Sequence, residues 1–453
     1  MFKKFNVDLP QINNAEYRVT DYGAVSGGVV SNTKAFKETI LAAAEHGGKV
    51  VVPNGVWLTG PIELKSGVEL HLEDNAVILF DKNAEEYPLI VTDFEGIARI
   101  RATSPIWADG EEDIAITGNG VIDGSGHLWR PVKEFKMTRR QWAKLLEKSP
   151  YVLEGNEDGI WVPTKSIYDG RNSGEVFPDH EGALEEAVPY YDFYRPVMVS
   201  LKHCKRVLLE GVLFKNSPAW CLHPYFCEHL TVRHLRVNNP YYAQNGDGID
   251  IDSCKNVEVC YSDFSTGDDG ICIKSGKDKE ARKIEGPCEN IYIHDCYVGQ
   301  SHGGFVIGSE MSRDVRNILV ENCTFIDSDI GIRLKSSIGR GGVVEDIYIK
   351  NINMVNMLQE AVIITMNYVH VNMNYDEPIV ESENAEDIPE FRNIYLENCQ
   401  CQGAKTAIKI AGIKGKPHTI HDVYIKDCQF VADEENAFTD CEKVVINYCD
   451  FGK

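Results

Sequence analysis

Residues 290–298 read NIYIHDCYV, and this short phrase decides the fold. Apolar and polar side chains alternate at its centre, and Asn or Asp stands at each end of the alternation. Alternation over about five residues is typical of a β-strand with one buried face. The phrase recurs along the second half of the chain as NILVENCTF (317–325), NIYLENCQC (393–401), DVYIKDCQF (422–430) and KVVINYCDF (443–451).

The spacing of these strands predicts how they are arranged. Most lie about 20 to 35 residues apart, which is the repeat length of solenoid proteins. No amphipathic helix separates them, as a doubly wound fold would require. The pattern therefore predicts an all-β fold, a parallel β-helix whose coils stack from about Val50 onward. The first apolar residues of the phrases are Val207, Leu230, Val257, Ile291, Ile318, Ile347, Ile394, Val423 and Val444.

The chain is expected to form a single β-helix domain over residues 1–453 with a cap at its N-terminal end. The cap is assigned to about residues 1–50, because an end coil would otherwise expose apolar edges. Within it, TKAFKETILAAAEH predicts a helix over 33–46 with Phe36 and Ile40 on one face.

One long segment, at about residues 129–195, does not show the repeat pattern. It is rich in Trp and Tyr and contains a second predicted helix in TRRQWAKLLEKS (138–149). Segments of this length inside a compact domain are often functional, and aromatic faces suit sugar rings. The alternative is an insertion that only buries its own aromatic side chains.

Composition and charge exclude several classes of function. A globular core is expected from 453 residues that are 43% hydrophobic and 25% charged. The net charge of −23 argues against nucleic acid and against anionic membranes as partners. The start, MFKKFNVDLPQ, lacks the apolar run of a secretory signal. A cytoplasmic location is therefore expected, with a periplasmic or secreted one as the alternative if a leader has been removed.

The fourteen cysteines all follow Arg195, and several occupy one place in the repeated phrase, as Cys296 and Cys323 do. This periodicity is typical of reduced thiols that pack as small apolar groups on an interior face. No CxxC pair is present, so the reduced thiols are favoured over a zinc site or a disulfide framework.

Carboxylates and cations recur at the turns of successive coils. Stacked coils lie about 5 Å apart, so side chains at matching positions reach one ligand. Adjacent Asp268 and Asp269 repel each other, which raises the pKa of one of them. This cost is expected where an acid must stay protonated beside an ionised one. The polar turns read NGDGID (245–250), STGDDG (265–270), SHGG (301–304) and IRLK (332–335).

Two other interpretations of these turns are possible. GDGIDID (246–252) is similar to a calcium-binding nonapeptide, but it occurs once, whereas such repeats come in arrays. GQSHG (299–303) matches the nucleophile elbow of serine hydrolases through Ser301, but a strand-like alternation follows it instead of a helix. Neither interpretation is favoured.

In order and spacing, the motifs resemble those of the polygalacturonases, inverting glycoside hydrolases that cleave pectin on a right-handed parallel β-helix. That family's blocks are Asn-x-Asp, Asp-Asp, Gly-His-Gly and Arg-x-Lys. They are matched by NGD (245–247), GDD (267–269), SHG (301–303) and RLK (333–335). Gly246 replaces the usual Thr and Ser301 the first Gly, which leaves every functional side chain in place. Bacterial exo-polygalacturonases are the members that the chain resembles most.

The resemblance implies a role for each matching residue. Asp268 would be the general acid that protonates the leaving oxygen, with its pKa raised by acidic neighbours. Asp247 and Asp269 would hold and activate the attacking water, and His302 would orient the acid. Asp250 is expected to be structural. No metal and no cofactor are expected.

The same resemblance describes the substrate, a galacturonic acid oligosaccharide or a related fragment of pectin. Arg333, Lys335 and Tyr368 would bind the carboxylate of the sugar next to the cleaved bond, since Arg pairs bidentately with carboxylates. Asn245 belongs to the same substrate-binding set. The sequence does not indicate an oligomeric state.

The insertion at 129–195 bears on where cleavage occurs. In exo-acting members, extra segments wall off one end of the groove. The resemblance therefore implies exo-acting hydrolysis of α-1,4-galacturonosyl linkages, with galacturonic acid released from the non-reducing end. The alternatives are an endo-polygalacturonase or a galacturonidase of decorated rhamnogalacturonan. Less favoured are a calcium-dependent pectate lyase and a non-catalytic carbohydrate-binding β-helix.

Overall fold

The computed structural model describes residues 1–154, 159–284, 286–368 and 384–452. Most of these residues form a right-handed parallel β-helix, in which successive coils contribute strands to three long parallel sheets that we name A, B and C. The all-β fold predicted from the repeat is confirmed.

The strands of each sheet follow one another in chain order. Sheet A contains Glu16–Arg18, Gly48–Val52, Val68–Leu72, Glu112–Gly118, Lys205–Glu210, Glu228–Arg233, Lys255–Cys260, Cys288–His294, Val315–Glu321, Val343–Lys350, Glu390–Glu397, Ile420–Lys426 and Glu442–Asn447. Sheet B contains Gly55–Thr59, Ala76–Phe80, Val121–Asp123, Leu213–Lys215, Arg236–Asn238, Asp263–Ser265, Tyr297–Val298, Thr324–Ile326, Asn353–Val355, Gln400–Gln402, Gln429–Val431 and Asp450–Gly452. Sheet C contains Ile62–Glu63, Ile106–Asp109, Val199–Lys202, Leu222–Tyr225, Ile249–Asp252, Asp269–Lys274, Gly303–Ile307, Ile330–Lys335, Glu360–Thr365, Thr406–Ala411 and Ala437–Thr439.

The repeat found in the sequence is also the register of sheet A. All nine first apolar residues of the phrases pair with one another in order, from Val207 with Leu230 to Val423 with Val444. Eight of the nine side chains are buried in the core, and the last, Val444, packs against it. Because the side-chain period of a strand is two, this register keeps one apolar face inward in every coil.

The Asn and Asp residues of the phrase have a structural reason. Asn290, inside the sheet A strand Cys288–His294, and Asp295, directly after it, have φ values of 58° and 52°, in the left-handed region that Asn and Asp adopt most readily after glycine. The same positions in neighbouring coils also connect through their amides, as Asn317 donates to the Asn290 side chain at 2.7 Å. The turns therefore stack as regularly as the strands.

The cysteine prediction is confirmed. All fourteen are free, and all but Cys441 and Cys449 are buried. Their sulfurs contact core side chains or lie near backbone carbonyls, as that of Cys323 does at 3.3 Å from the carbonyl oxygen of Glu321.

The helix predicted near the N-terminus is present as Thr33–Ala44. Its Phe36, Ile40 and Ala43 belong to the same buried cluster as the first coils, so it covers that end of the core. Residues 1–14, which the sequence analysis included in the cap, lie elsewhere. They follow the outer face of sheet A, where the Met1 ammonium donates to the Tyr348 hydroxyl at 2.6 Å.

The insertion and the loops form the remaining elements. The other α-helices are Arg139–Lys148, Lys165–Ser173, Ala183–Ala187 and Asp278–Arg282. Short 3-10 helices are Val19–Tyr22, Gly126–Leu128, Glu134–Lys136, Val188–Phe193, Ala385–Asp387 and Pro417–Thr419. Antiparallel pairs join Leu89–Phe94 with Ile97–Ala102, and Gly159–Trp161 with Val132–Lys133 and Val152–Glu154. Within the described ranges, no helix combines the length and the apolarity of a membrane span.

Candidate active site

Two columns of polar residues meet where sheet C begins. The register that pairs Ile249 with Ile271 places Asp247 beside Asp269 in the next coil. The neighbouring column stands one residue earlier in the chain. There Asp268 lies beside His302 of the following coil, whose backbone N–H donates to the Asp268 carbonyl at 2.9 Å. The coil stacking therefore brings together residues that are far apart in sequence.

Three carboxylates form the centre of the site. Asp247, Asp268 and Asp269 each offer an oxygen, and these oxygens lie within 4.8 Å of one another. Asp247 and Asp269 are 3% and 2% exposed, whereas the Asp268 side chain is 22% exposed. Asp268 is thus the member of the trio that faces solvent most openly.

Two cations and a phenol lie on the C-terminal side of the acids. Lys335 Nζ is 2.8 Å from Asp269 Oδ2, an ion pair that is almost fully buried. The Tyr368 ring lies 4.9 Å from Lys335 Nζ and 5.4 Å from the guanidinium carbon of Arg333. The structure therefore gathers the three residues expected to bind a carboxylate beside the acids.

His302 lies between charged groups from three segments of the chain. Its Nδ1 is 3.5 Å from Asp268 Oδ1, and its Nε2 is 3.7 Å from Asp329 Oδ2. Lys136, from the insertion, places its Nζ 3.0 Å from the same Nε2. Neither Asp329 nor Lys136 was among the site residues predicted from the sequence. The repeat could have revealed Asp329, because it follows Ser328 as His302 follows Ser301.

Asn245 lies beside Asp268, next to the acid trio. Its side-chain oxygen accepts from Arg195 Nη2 at 2.6 Å, and Arg195 also donates to the carbonyl of Gln244. The Asn245 backbone, at φ 52°, directs its N–H to Asp268 Oδ2 at 3.2 Å. In this structure Asn245 thus orients Asp268, and Arg195, which the sequence analysis overlooked, fixes Asn245.

The electrostatics correct one expectation. Burial, together with repulsion from Asp250, Asp268 and Asp269, raises the pKa of Asp247 well above its usual range. Burial also acts to raise the pKa of Asp268, but His302, Lys335 and Lys136 more than offset it, and the pKa of Asp268 is lowered. In the free site, burial and neighbouring acids therefore raise the pKa of Asp247 and of Asp250, whereas that of Asp268 is lowered, opposite to the direction expected from the sequence.

Replacing Asp247 with Asn should stabilise the protein at neutral pH. Because the folded-state pKa of Asp247 is raised, the native state loses stability as the pH rises from the ordinary carboxyl pKa, about 3.9, towards the raised value. Asn carries no charge, so the variant should gain about 1–2 kcal/mol of unfolding free energy at pH 7 and little at pH 3. Equilibrium denaturation at both pH values measures the difference, with exposed Asp263→Asn as the control. An equal gain at both pH values would contradict the charge argument.

A buried polar network lies behind the acids. Lys274 Nζ is 2.9 Å from Glu310 and 3.7 Å from Asp250, and all three side chains are almost fully buried. Asp252, two residues further along the same strand, is buried beside His223 and Arg313. Asp250 is therefore part of a buried network of acids and cations, as expected of a structural residue.

The two alternative motifs do not form the sites that they suggest. Ser301 is buried and its hydroxyl shares a hydrogen bond of 2.8 Å with Ser328, and the strand Gly303–Ile307 follows it instead of a helix. A nucleophile elbow needs a strand-to-helix turn. In GDGIDID, Asp250 and Asp252 already face the cations of Lys274 and Arg313.

The insertion lies beside the acids, and three of its large aromatic side chains are buried, whereas Phe135 and Phe177 are exposed. Trp129, Trp161 and Tyr194 are at most 4% exposed, so they are packed within the protein and do not present open faces to a sugar. A pocket of about 300 Å³ lies next to the turn of Asn245, and Arg101, Arg171, Arg195, Phe94 and Trp129 contribute to its lining. Two of the insertion's residues, Lys136 and Arg195, reach the acid coil through His302 and Asn245.

Comparison with known proteins gives one consistent family. The family described as "Glycosyl hydrolases family 28" matches residues 169–447. Among solved structures, the fold is similar to that of a hyperthermoactive exopolygalacturonase from Thermotoga maritima, with a TM-score of 0.77 and 31% identity, covering 97% of this chain and 93% of that one.

The curated relatives include proteins named as exo-acting and as endo-acting enzymes. A probable polygalacturonase of Vitis vinifera is 28% identical, over 88% of this chain and 72% of the relative. An exo-poly-alpha-D-galacturonosidase of Dickeya chrysanthemi is 27% identical, over 90% and 65% respectively. An endo-polygalacturonase of Pectobacterium carotovorum is 24% identical, over 84% and 79%.

Proposed function

This chain belongs to family 28 of the glycosyl hydrolases, and from its site we propose that it hydrolyses α-1,4-galacturonosyl linkages as an exo-acting polygalacturonase, releasing galacturonic acid from the non-reducing end. One observation carries the proposal. A solvent-facing acid, two buried acids and a carboxylate-binding pair of cations meet in one groove, beside a pocket formed by the insertion. A uronate carboxylate would bring Arg333 and Lys335 a negative charge that a neutral sugar does not carry.

Asp268 is the proposed general acid, because it is the carboxyl group of the trio with an exposed oxygen that can reach a glycosidic bond. Its lowered pKa in the free site reflects His302 first and then the positive charges of Lys335 and Lys136. A uronate carboxylate bound to these cations would cancel part of that charge and displace water, and both effects raise the pKa of an acid. Substrate binding thus prepares Asp268 to carry the proton.

Asp247 and Asp269 are the proposed holders of the attacking water. Both are buried beside Asp268, and Asp269 forms an ion pair with Lys335. The separation of the acid oxygens, within 4.8 Å, is shorter than the roughly 6.5–9.5 Å common among inverting glycosidases. Inversion is proposed nonetheless because the ion pair with Lys335 makes Asp269 a poor nucleophile and a water held by two acids needs less space.

The insertion supports terminal attack. Lys136 and Arg195 hold it against the acid coil, which leaves a pocket of about 300 Å³. This volume is at the lower end of the range of about 300–1,000 Å³ for ligand pockets, so it suits a chain end better than a passing polymer. The lining carries both charges, with Arg101, Arg171 and Arg195 beside Glu95, Glu175 and Asp192.

A time course with a defined galacturonic acid oligomer tests the function. We expect galacturonic acid from the earliest points and chains that shorten by one unit, at a rate that chelator leaves unchanged. NMR of the first product should show the β-anomer, because inversion of an α-linkage gives that configuration. Intermediate oligomers appearing together would mean endo cleavage, an α-anomer would mean retention, and an unsaturated, chelator-sensitive product would mean elimination by a lyase.

A further inference from the structure

The insertion also contacts the catalytic centre through the side chain of Lys136. It follows the strand Val132–Lys133 in the short 3-10 helix Glu134–Lys136. Its Nζ lies 3.0 Å from His302 Nε2, 3.3 Å from the Tyr241 carbonyl and 3.3 Å from the Gly267 carbonyl. The Tyr241 ring, with its centroid 4.8 Å from Nζ, covers another side.

These three contacts use every hydrogen of an ammonium group. A protonated lysine has three donors and no acceptor. The two carbonyls can only accept, so the third N–H is directed at His302 Nε2. Nε2 must then offer a lone pair, which places the imidazole proton on Nδ1. That nitrogen faces Asp268 Oδ1 at 3.5 Å.

We propose that Lys136 is a positioning residue for the reaction, which fixes His302 as the Nδ1–H tautomer so that the imidazole donates to Asp268. The role of Lys136 in the reaction rests on the proposed function, whereas the tautomer of His302 does not. It explains why an insertion outside the β-helix repeat reaches into the acid coil. The insertion both bounds the groove and sets the orientation of the acid.

The charges around His302 make the inference testable. Asp268 and Asp329 face it from neighbouring coils, Lys136 from the insertion, and Tyr241 lies beyond Lys136. Burial lowers the pKa of Lys136, while Asp268 and Asp329 act to raise it. A lysine without its proton would accept from Nε2–H instead, and His302 would then carry the opposite tautomer.

Nitrogen NMR of the full-length protein labelled with ¹⁵N-histidine measures the tautomer without substrate. The chain has 13 histidines, and the signal of His302 is identified by its absence from the His302→Gln variant. We expect the Nδ1–H form in the wild-type protein and a mixture of tautomers in Lys136→Met. A wild-type signal from Nε2–H would overturn the proposal, whatever the enzymatic activity proves to be.

Kinetics on a galacturonic acid oligomer provide the second measurement. In Lys136→Met we expect kcat to fall about tenfold, a part of the roughly 10²–10⁴-fold supplied by a positioned acid, with a shifted pH profile and little change in KM. Lys136→Arg keeps the donors and should recover most of the rate. Exposed Lys144, in helix Arg139–Lys148 of the same insertion, gives the matched control Lys144→Met. A loss confined to KM, or an equal loss in the control, would overturn the positioning role.

Discussion

Asp268→Asn is expected to reduce kcat on galacturonic acid oligomers about a thousandfold, within the roughly 10²–10⁴-fold that general acid catalysis supplies. The amide has almost the shape of the carboxyl group but cannot deliver a proton to the leaving oxygen. The backbone N–H of Asn245, 3.2 Å from Asp268 Oδ2, can still donate to the amide oxygen. The variant should therefore retain the fold and much of its affinity for substrate.

A substrate with a good leaving group separates the acid from the other two carboxylates. The leaving group of a nitrophenyl galacturonide is nitrophenolate, which departs without protonation. Asp268→Asn should therefore lose far less rate on this substrate than on the oligomer. Asp247→Asn and Asp269→Asn should lose rate on both substrates, because activation of water is still required. The control is Asp263→Asn, an exposed acid two residues before the turn that carries Asp268. Equal losses of Asp268→Asn on both substrates would assign Asp268 to water activation instead.

The coil register explains why so much of the site could be predicted from the sequence. In a stacked solenoid, matching positions of successive repeats become neighbours in space. Aligning the repeats therefore places Asp247 beside Asp269, and Asp268 beside His302. The contact of Lys335 with Asp269 does not follow from this rule, because the register aligns Asp269 with Gly303 and Ile330, and Lys335 stands at the far end of that strand.

The features of the site that could not be predicted belong to segments outside the repeat or depend on the combined effect of several charged groups. Lys136 and Arg195 belong to the insertion, whose path over the groove is set by its own packing around residues such as Trp129 and Tyr194. Residues 1–14 contain no strand pattern that would direct them along sheet A. The direction of the pKa shift of Asp268 depends on three cationic or imidazole groups around it, and only one of them, Lys136, lay beyond the motif reasoning.

The charge balance of the acid trio makes Lys335 the most sensitive cation of the site. Burial acts to lower the pKa of Lys335, but the Asp269 carboxylate 2.8 Å away more than offsets it, and the pKa is raised. The ammonium therefore stays charged throughout the neutral range. In Lys335→Met, the carboxylate of Asp269 remains buried without this partner, and removing one member of a buried pair costs about 3–5 kcal/mol.

Lys335→Met should accordingly lose about 3 kcal/mol of unfolding free energy at pH 7, and less at acidic pH as the acid trio takes up protons. Its kcat/KM on the galacturonic acid oligomer should fall at least about thirtyfold, since truncating one partner of a buried charge pair costs roughly 2–5 kcal/mol. On the methyl-esterified oligomer, whose sugars carry no charge to bind, the fall should be much smaller. Surface Lys350, paired with Glu397 at 3.2 Å, provides the control Lys350→Met, which should change stability by less than about 1 kcal/mol. If the acid and the ester lose rate equally, Lys335 supports the acids but does not recognise the uronate, and Arg333 with Tyr368 must then do so alone.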